Sequence, residues 1–210
     1  MADIALLKDC ISGGKMEKAV ELVNAAIADG IAPEDIINNH LVKGMEEIGA
    51  KYEEGKAFVP NLLLAARAMK GCLAVLNPLL KDDSATSLGT IVIGTVKGDL
   101  HDIGKNLVAS MLEGCGFKVV NLGVDVSAEQ FIAAVKENNA QIVCLSALLT
   151  TTMNYMKDVV DAFAAAGLRD KVKIMVGGAP LSQEFSDKIG ADGFSVNANG
   201  AVLLAKSLIA

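Results

Sequence analysis

The chain has 210 residues and a net charge of −6, from 25 acidic and 19 basic residues. Hydrophobic residues make up 52% and charged residues 21%, which is typical of a folded globular protein and not of a disordered one. The acidic balance, the 4% of aromatic residues and the absence of tryptophan argue against a nucleic-acid-binding surface. We expect neither a signal peptide nor a membrane segment, since no run approaches the roughly 20 apolar residues that span a bilayer. The expected location is cytoplasmic.

Residues 1–83 show helical periodicity alone. One amphipathic helix is predicted after a pair of glycines, a second begins at Pro33, and a third apolar run opens with Pro60. Together with a short helix near residues 3–12, these segments predict an N-terminal four-helix bundle. The polar, turn-rich sequence that follows predicts a linker at residues 84–89.

In residues 90–210, apolar β-branched runs alternate with helical segments. Five β-α units of this length predict an α/β domain with a parallel, flavodoxin-like or Rossmann-like sheet of strand order 2-1-3-4-5. Such a sheet binds ligands beyond the carboxyl ends of its strands, here between strands 1 and 3. The predicted strands are Thr90–Val96, Lys118–Leu122, Gln141–Ser146, Val172–Val176 and Gly193–Val196.

The segment Gly98–Asn106, after the first strand, carries most of the candidate chemistry. Five residues separate its glycines and Asn106 follows Lys105, so it does not match a P-loop, and it also lacks the Gly-x-Gly-x-x-Gly of dinucleotide-binding proteins. A zinc site is poorly supported. The only other histidine, His40, lies in the helical part, and the four cysteines, predicted to be reduced core residues, are distant in sequence.

His101 stands between Asp99 and Asp102 at the predicted ligand-binding edge. A histidine in such a loop is most often a surface or packing residue. A neutral imidazole, however, can bind a metal through one nitrogen while a carboxylate holds the N–H of the other, and it can release the metal by taking up a proton. The pattern therefore indicates a metal or cofactor site.

Three motifs at the ends of successive strands resemble the cobalamin-binding signature of one family. Asp99–Gly104 has the form Asp-x-His-x-x-Gly after strand 1, Ser146–Leu148 has the form Ser-x-Leu after strand 3, and Gly177–Gly178 is a glycine pair after strand 4. In these motifs, and across Thr95–Asn106, the chain resembles the corrinoid domains of methionine synthase and of methyltransferase corrinoid proteins. The helical part resembles the cap domain found with this module, so the resemblance covers nearly the whole chain.

The resemblance implies that the cofactor is cobalamin or a related corrinoid, with methylcobalamin as the methyl-carrying form. His101 would be the lower axial ligand to cobalt, and it would replace the cofactor's own base. Asp99 would accept a hydrogen bond from the other imidazole nitrogen. Ser146 would support Asp99, and the two residues would couple a proton to methyl transfer. Without the resemblance, Ser146 is more simply a helix-capping residue.

The resemblance also implies a slot for the displaced nucleotide tail, lined by Leu148 and the pair Gly177–Gly178, where a larger side chain would fill the space. Taken alone, Thr150 would be a helix-capping residue and the glycine pair a turn. The remaining implied cofactor contacts are Gly98, Asp102, Ile103, Gly104, Thr150 and Ala198.

By the same resemblance, an apolar face of the helical cap would cover the upper side of the corrin. The candidates are Tyr52, Phe58, Val59 and Leu63, and bundle core is the equal alternative for each. The family's methionine synthases carry an acidic cofactor contact earlier in the cap, where this chain has Ile37–His40. That contact is therefore not expected in the same form.

The implied function is that of a methyl carrier and not of an enzyme acting alone. A substrate-specific methyltransferase would load it, and a second methyltransferase would pass the methyl group to tetrahydrofolate or a thiol, with a reductive activase as a further partner. The cap would swing aside about residues 81–89. An adenosylcobalamin-dependent mutase subunit, a cobalamin-sensing regulator and a plain nucleotide binder are the alternatives. The sequence does not distinguish methanol, methylamines, methoxylated aromatics and betaines as methyl donors.

Overall fold

The structure, a computed structural model, describes residues 3–80 and 87–209. The chain divides into a helical unit, Met1–Ser87 with Glu113–Gly116, and a sheet unit, Leu88–Leu112 with Phe117–Ala210. Most of the predicted hinge, residues 81–86, lies outside the described residues, so the hinge stays a prediction.

The helical unit contains four helical stretches, which confirms the predicted helical cap. The third stretch is continuous and includes a five-residue π-helical segment between two α-helices. The elements are α1 (Leu6–Ser12), α2 (Met16–Ala28), α3 (Pro33–Ile36), the π-helical segment (Ile37–Leu41), α4 (Val42–Glu53), α5 (Val59–Leu76) and a 3₁₀ turn (Asn77–Leu79).

Among the described residues 3–80, apolar side chains and cysteines fill the core of this unit. α5 packs against α1, α2 and α4, and it buries eight of its residues. α1 and α4 approach closely at Gly44, where an added Cβ would lie 2.5 Å from Cβ of Ile11. At the start of α5, the side-chain oxygen of Asn61 accepts a hydrogen bond from the N–H of Phe58 at 2.9 Å. This contact satisfies one of the N–H groups left unpaired at a helix start.

The expectation that no run approaches the length and apolar composition of a membrane span was wrong for this unit. By length and composition, the 21 residues Val59–Leu79, with a mean hydropathy of 1.4, are long and apolar enough to cross a membrane. The central helix of a bundle passes the same test, because it must be apolar on several faces to bury against its neighbours. The packing of α5 against three other helices agrees with that explanation.

The sheet unit is a five-stranded parallel sheet of order β2-β1-β3-β4-β5, which confirms the predicted fold class and strand order. Its strands are β1 (Thr90–Thr95), β2 (Lys118–Asn121), β3 (Ile142–Ser146), β4 (Lys173–Gly177) and β5 (Gly193–Ser195). Its helices are α6 (Ile103–Gly114), α7 (Ala128–Asn138), α8 (Thr150–Met153), α9 (Tyr155–Ala165), α10 (Gln183–Ile189) and α11 (Ala198–Ile209).

Four strands end level with one another at the carboxyl edge of this sheet. Thr95 pairs with Ser146, Ser146 with Gly177, and Gly177 with Ser195. Because each residue is the last of its strand, the loops that follow begin at the same height. The motifs that lie far apart in sequence therefore all start from one edge.

The four cysteines form no disulfide and are buried, which confirms the prediction of reduced core residues. They are Cys10, Cys72, Cys115 and Cys144. Burial raises the pKa of the Cys72 and Cys144 thiols to about 12, since a buried thiolate loses its hydration. These two side chains are therefore neutral thiols that pack as small apolar groups.

Candidate functional site

The loop after β1 turns sharply and buries a carboxylate. Gly98 adopts a positive φ of 84°, which a glycine tolerates without steric conflict. Its N–H donates to Oδ1 of Asp125 at 2.7 Å, and the N–H of Asp99 donates to the carbonyl of Val96 at 3.1 Å. As a result, the side chain of Asp99 is completely buried beside the end of β1.

Both oxygens of the Asp99 carboxylate are occupied by hydrogen bonds. Oδ1 accepts the backbone N–H of His101 at 3.0 Å and its Nδ1–H at 2.7 Å. Oδ2 accepts the Thr152 hydroxyl at 2.6 Å and the N–H groups of Leu148 and Leu149 at 2.8 and 3.3 Å. Asp99 therefore joins the loop after β1 to the segment after β3.

These hydrogen bonds also determine the charge of Asp99. Burial by itself raises the pKa of a carboxyl group. The hydrogen bonds from the Thr152 hydroxyl, from the N–H groups of His101 and Leu148, and from the His101 ring together outweigh burial and hold the pKa of Asp99 well below its usual range. Asp99 is therefore a buried carboxylate at neutral pH.

His101 is oriented so that one ring nitrogen is held and the other is available. Its side chain is 51% exposed, although the Asp99 carboxylate beneath it is buried. With Nδ1–H donated to Asp99, the neutral ring carries its lone pair on Nε2. An imidazole held in this way is a metal ligand whose tautomer and direction are set by a carboxylate.

The hydroxyl on Asp99 is not the one predicted. In the described part of the chain, Ser146 makes no hydrogen bond to Asp99, and Thr152 does. Ser146 is the last residue of β3 and lies level with Thr95 and Gly177 in the sheet. Thr152 lies in the first turn of α8 and is buried toward Asp99. Three consecutive threonines, Thr150–Thr152, were the sequence signal, but the register of α8 decides which of them faces the carboxylate.

The glycines of the motifs have different local surroundings. An added Cβ at Gly104 would meet nothing within 4 Å, and one at Gly177 would lie 3.7 Å from the Ser195 carbonyl oxygen. At Gly178, by contrast, φ is 141° and a Cβ would lie 1.9 Å from the Ala147 carbonyl oxygen. The protein's own backbone therefore requires glycine at position 178, whereas at position 104 a side chain would only occupy open space.

Large apolar side chains are exposed around His101. Ile103 is 88% exposed and Leu100 is 71% exposed, both close to His101 in the same loop region. Val196, after β5, is 86% exposed, and Leu148, after β3, is partly exposed. Since water solvates such groups poorly, this edge of the sheet suits a ligand with a broad apolar face.

The other predicted residues are spread along the same edge. Asp102 accepts a hydrogen bond from Nδ2 of Asn106 at 2.9 Å. Thr150 is exposed in the first turn of α8, whose N-cap is Leu149, so Thr150 is not the capping residue. Ala198 is buried as the first residue of α11. In the described part of the chain, none of these three residues donates a hydrogen bond to the Asp99 carboxylate.

Comparison with known proteins agrees with this geometry. Two family models, each described as a B12 binding domain, match residues 4–77 and 89–203. The trimethylamine corrinoid protein of Methanosarcina barkeri is 45% identical over 208 residues, which cover 98% of this chain and 96% of the relative. The dimethylamine corrinoid protein of the same organism is 45% identical over 205 residues, covering 97% of this chain and 96% of the relative.

The chain belongs to the B12-binding corrinoid proteins. Its cofactor is cobalamin or a related corrinoid. Solved structures agree: a cobalamin-binding protein from Desulfitobacterium hafniense has a TM-score of 0.83 at 33% identity, with 99% of both chains covered. The methanol:cobalamin methyltransferase complex from Methanosarcina barkeri has a TM-score of 0.85 at 33% identity, covering 98% of this chain and 79% of that one.

The residues of this corrinoid protein fit the cofactor. The available Nε2 of His101 can ligate cobalt, and the exposed apolar rim, with Ile103 and Val196, can contact the corrin. The open space at Gly104 is the kind of cradle that a Cβ would fill. Each of these features lies at the carboxyl edge of the sheet.

The helical unit of the corrinoid protein carries exposed apolar groups as well. Phe58 is 69% exposed and Leu63 is 41% exposed, so the bundle-core alternative was wrong for both. Tyr52 and Val59 are half-buried. Phe58 and Leu63 therefore remain candidates for covering a ligand.

Proposed function

We propose that this protein is the methyl carrier of a corrinoid-dependent methyltransferase system. The observation that carries the proposal is the His101–Asp99 pair, in which a buried carboxylate holds one imidazole nitrogen and leaves the other accessible. The names of two relatives, the trimethylamine and dimethylamine corrinoid proteins, support a methylamine as the original methyl donor. When bound, the corrinoid supplies a cobalt centre that accepts a methyl group and gives it up.

In this proposal, His101 would ligate cobalt in place of the cofactor's own base. Asp99 accepts the Nδ1–H and so keeps the lone pair on Nε2. The Thr152 hydroxyl, 2.6 Å from Asp99, stabilises the carboxylate and takes the role expected of Ser146.

The slot for the displaced tail is assigned to Leu148, Gly177 and Gly178. Gly104 and Ile103 lie beside His101 and would contact the corrin, with Gly98, Asp102, Thr150 and Ala198 as further contacts. The partly exposed Leu148 and the unobstructed positions of Gly104 and Gly177 support this assignment. We assign Ser146 to the wall of the site rather than to the hydrogen bonds on Asp99.

The partners follow from this role. A substrate-specific methyltransferase loads the carrier, and a second methyltransferase transfers the methyl group to tetrahydrofolate or a thiol. A reductive activase would restore carrier that has lost its reactive oxidation state. The protein would act in the cytoplasm and would catalyse no reaction without these partners. One supporting structure is that of a methanol:cobalamin methyltransferase complex.

The proposal is tested by reconstituting the protein with hydroxocobalamin under anaerobic conditions. The absorption spectrum and the electron paramagnetic resonance (EPR) spectrum of the reduced cobalt(II) form are compared in wild type, His101→Ala and His40→Ala. His40 is the only other histidine and serves as the matched control. With the histidines of the protein labelled with 15N, we expect the two-line splitting of a histidine ligand in wild type and His40→Ala only, because the cofactor's own base gives three lines. The same splitting in His101→Ala would refute the assigned ligand.

The carrier role is tested separately with purified methyltransferases. Reduced, reconstituted protein is mixed with a trimethylamine, dimethylamine or methanol methyltransferase and its substrate. We expect one of the three pairs to load a methyl group, as seen in the absorption spectrum and by loss of substrate. If none of these pairs loads the protein, the carrier role with these methyl donors is wrong.

A further inference from the structure

Thr95 also holds the backbone of His101, through a hydrogen bond separate from those on Asp99. This threonine is the last residue of β1 and is completely buried. Its hydroxyl donates to the carbonyl oxygen of His101 at 2.9 Å. The carbonyl of Thr95 accepts the N–H of Val126, and its own N–H donates to Gly123, both at 3.0 Å. Asp99 therefore holds the N–H of His101, and the buried Thr95 holds the carbonyl of His101.

Asp125 holds the beginning of the same segment. Its Oδ1 accepts the N–H of Gly98 at 2.7 Å, and its own N–H donates to the carbonyl of Asp99 at 3.1 Å. Asp125 also has a positive φ of 55°. That conformation is unfavourable for most side chains and tends to persist where the surrounding contacts impose it. The loop after β2 thus fixes both Gly98 and Asp99.

Lys105 holds the end of the segment. It is only 4% exposed, and Nζ donates to Oδ1 of Asn106 at 2.6 Å and to Oδ1 of Asn121 at 2.7 Å. Asn106 in turn donates from Nδ2 to Oδ2 of Asp102 at 2.9 Å. Buried lysines are rare and carry a desolvation penalty. Here the lysine joins the end of β2 to the residue that follows His101.

We propose that Thr95, Asp125 and Lys105 are positioning residues that hold the segment Gly98–Asp102 so that Nε2 of His101 faces its ligand. The inference rests on the proposed ligation of cobalt by His101. The three residues act at the His101 carbonyl, at the beginning of the segment and at its end. All three are connected to β2 or to the loop that follows it. That loop is therefore a support for the metal ligand.

Thr95 is tested with a pair of substitutions. Thr95→Val keeps the shape and removes the hydroxyl donor, whereas Thr95→Ser keeps the donor. The measured quantity is the equilibrium constant for histidine ligation, obtained from absorption and EPR spectra across pH. We expect a roughly tenfold smaller constant in Thr95→Val, the common effect of one lost hydrogen bond, and recovery in Thr95→Ser. Thr90→Val, at the other end of β1, is the control and should resemble wild type.

Asp125 and Lys105 are tested in the same way. Asp125→Asn keeps a side-chain oxygen and tolerates a positive φ, whereas Asp125→Ala does neither. We therefore expect the equilibrium constant for histidine ligation to fall roughly tenfold in the alanine variant only. Lys105→Met removes the hydrogen bonds to Asn106 and Asn121 with little change in side-chain length. Its control is Lys136→Met on the exposed side of α7. We expect the equilibrium constant for histidine ligation to fall at least tenfold in Lys105→Met and to stay unchanged in the control.

The outcomes separate this inference from the proposed function. Absence of histidine ligation in the wild-type protein would overturn both. Ligation in wild type, lost in His101→Ala but unchanged in Thr95→Val, Asp125→Ala and Lys105→Met, would overturn the inference alone. Thermal unfolding shows which variants fold. If Thr95→Val or Lys105→Met does not fold, the comparison of Asp125→Asn with Asp125→Ala decides the matter, because Asp125 is exposed and its substitution leaves the core packing unchanged.

Discussion

The two units of this protein use their interiors differently. In the described residues 3–80 and 87–209, the structure buries six non-cysteine polar or charged residues, and all six lie in the sheet unit. Four of them, Thr95, Asp99, Lys105 and Thr152, belong to the hydrogen-bond network around His101. The helical unit has a core of apolar side chains and cysteines alone. In the described residues, both units therefore have an apolar core, and the buried polar groups lie in the sheet unit alone.

This difference has a physical reason. A buried polar group must be hydrogen-bonded to offset its lost hydration, so it is retained where its position matters. An apolar bundle has no such requirement and tolerates changes that conserve volume. Substitutions in the helical core should therefore affect stability alone, whereas substitutions in the network should affect histidine ligation as well as stability.

The largest effect on stability is expected in the helical core. Ile11 is fully buried in α1, and Ile11→Ala should lower the free energy of unfolding by about 2–5 kcal/mol, since it leaves a cavity. Leu6 in the same helix is 44% exposed, and Leu6→Ala is the control, with an effect of less than about 1 kcal/mol. Urea unfolding measures both. A histidine-ligation spectrum changed in folded Ile11→Ala would contradict the separation of roles.

A slightly smaller effect is expected for Asp99→Asn, with a distinct dependence on pH. The pKa of Asp99 is lower in the folded protein than the unfolded value of about 3.9, so its carboxylate stabilises the fold above pH 4. That contribution is lost as the pH falls from about 4 through the folded-state pKa. The asparagine amide nitrogen would face N–H or O–H donors and could not accept their hydrogen bonds. We therefore expect the free energy of unfolding to fall by about 3 kcal/mol at pH 7.

Urea unfolding of both proteins between pH 3 and pH 8 checks this dependence. The gap in stability between wild type and Asp99→Asn should narrow at the acid end. An equal gap at every pH would mean that Asp99 is not the ionised group that the structure indicates.

Thr152 and Ser146 provide a smaller but sharper test. Thr152→Val removes the hydroxyl that donates to Asp99 and should cost about 1–2 kcal/mol in stability, with weaker histidine ligation. Ser146→Ala should change the free energy of unfolding by less than about 0.5 kcal/mol. Unfolding and the cobalt(II) EPR spectrum of both variants are compared. A larger effect on ligation from Ser146→Ala would restore the role predicted from the sequence.

The smallest effect on stability is expected for Gly104→Ala, and its sign is reversed. Gly104 is the second residue of α6 with open space around it, so alanine should stabilise the protein without cofactor by up to about 1 kcal/mol. The same methyl group would occupy the proposed corrin cradle and weaken hydroxocobalamin binding about tenfold or more. Thermal unfolding and a binding titration measure the two effects. Unchanged affinity would place the corrin elsewhere.

Much of this architecture could be predicted from residue patterns. Helical periodicity before residue 80 and short apolar runs alternating with helical segments after residue 90 indicated the two kinds of structure. The structure also contains a local capping box, in which the Ser127 N–H donates to the Gln130 side chain at 2.8 Å. These features depend on neighbours within a few positions, so a linear pattern contains them. Composition did not distinguish α5 from a membrane span, because the central helix of a bundle and a membrane span are similarly apolar.

The sequence by itself determined the two-part organisation, the sheet order, and the motif with Asp99 and His101. Only the tertiary structure decided which side chains complete the site. Thr152 replaced Ser146 as the hydroxyl on Asp99, and Lys105 and Asp125 joined the network from a helix and a distant loop. The reason is that hydrogen bonds between strands depend on register and on the turn where each helix starts. Those are properties of the packed sheet and not of local sequence.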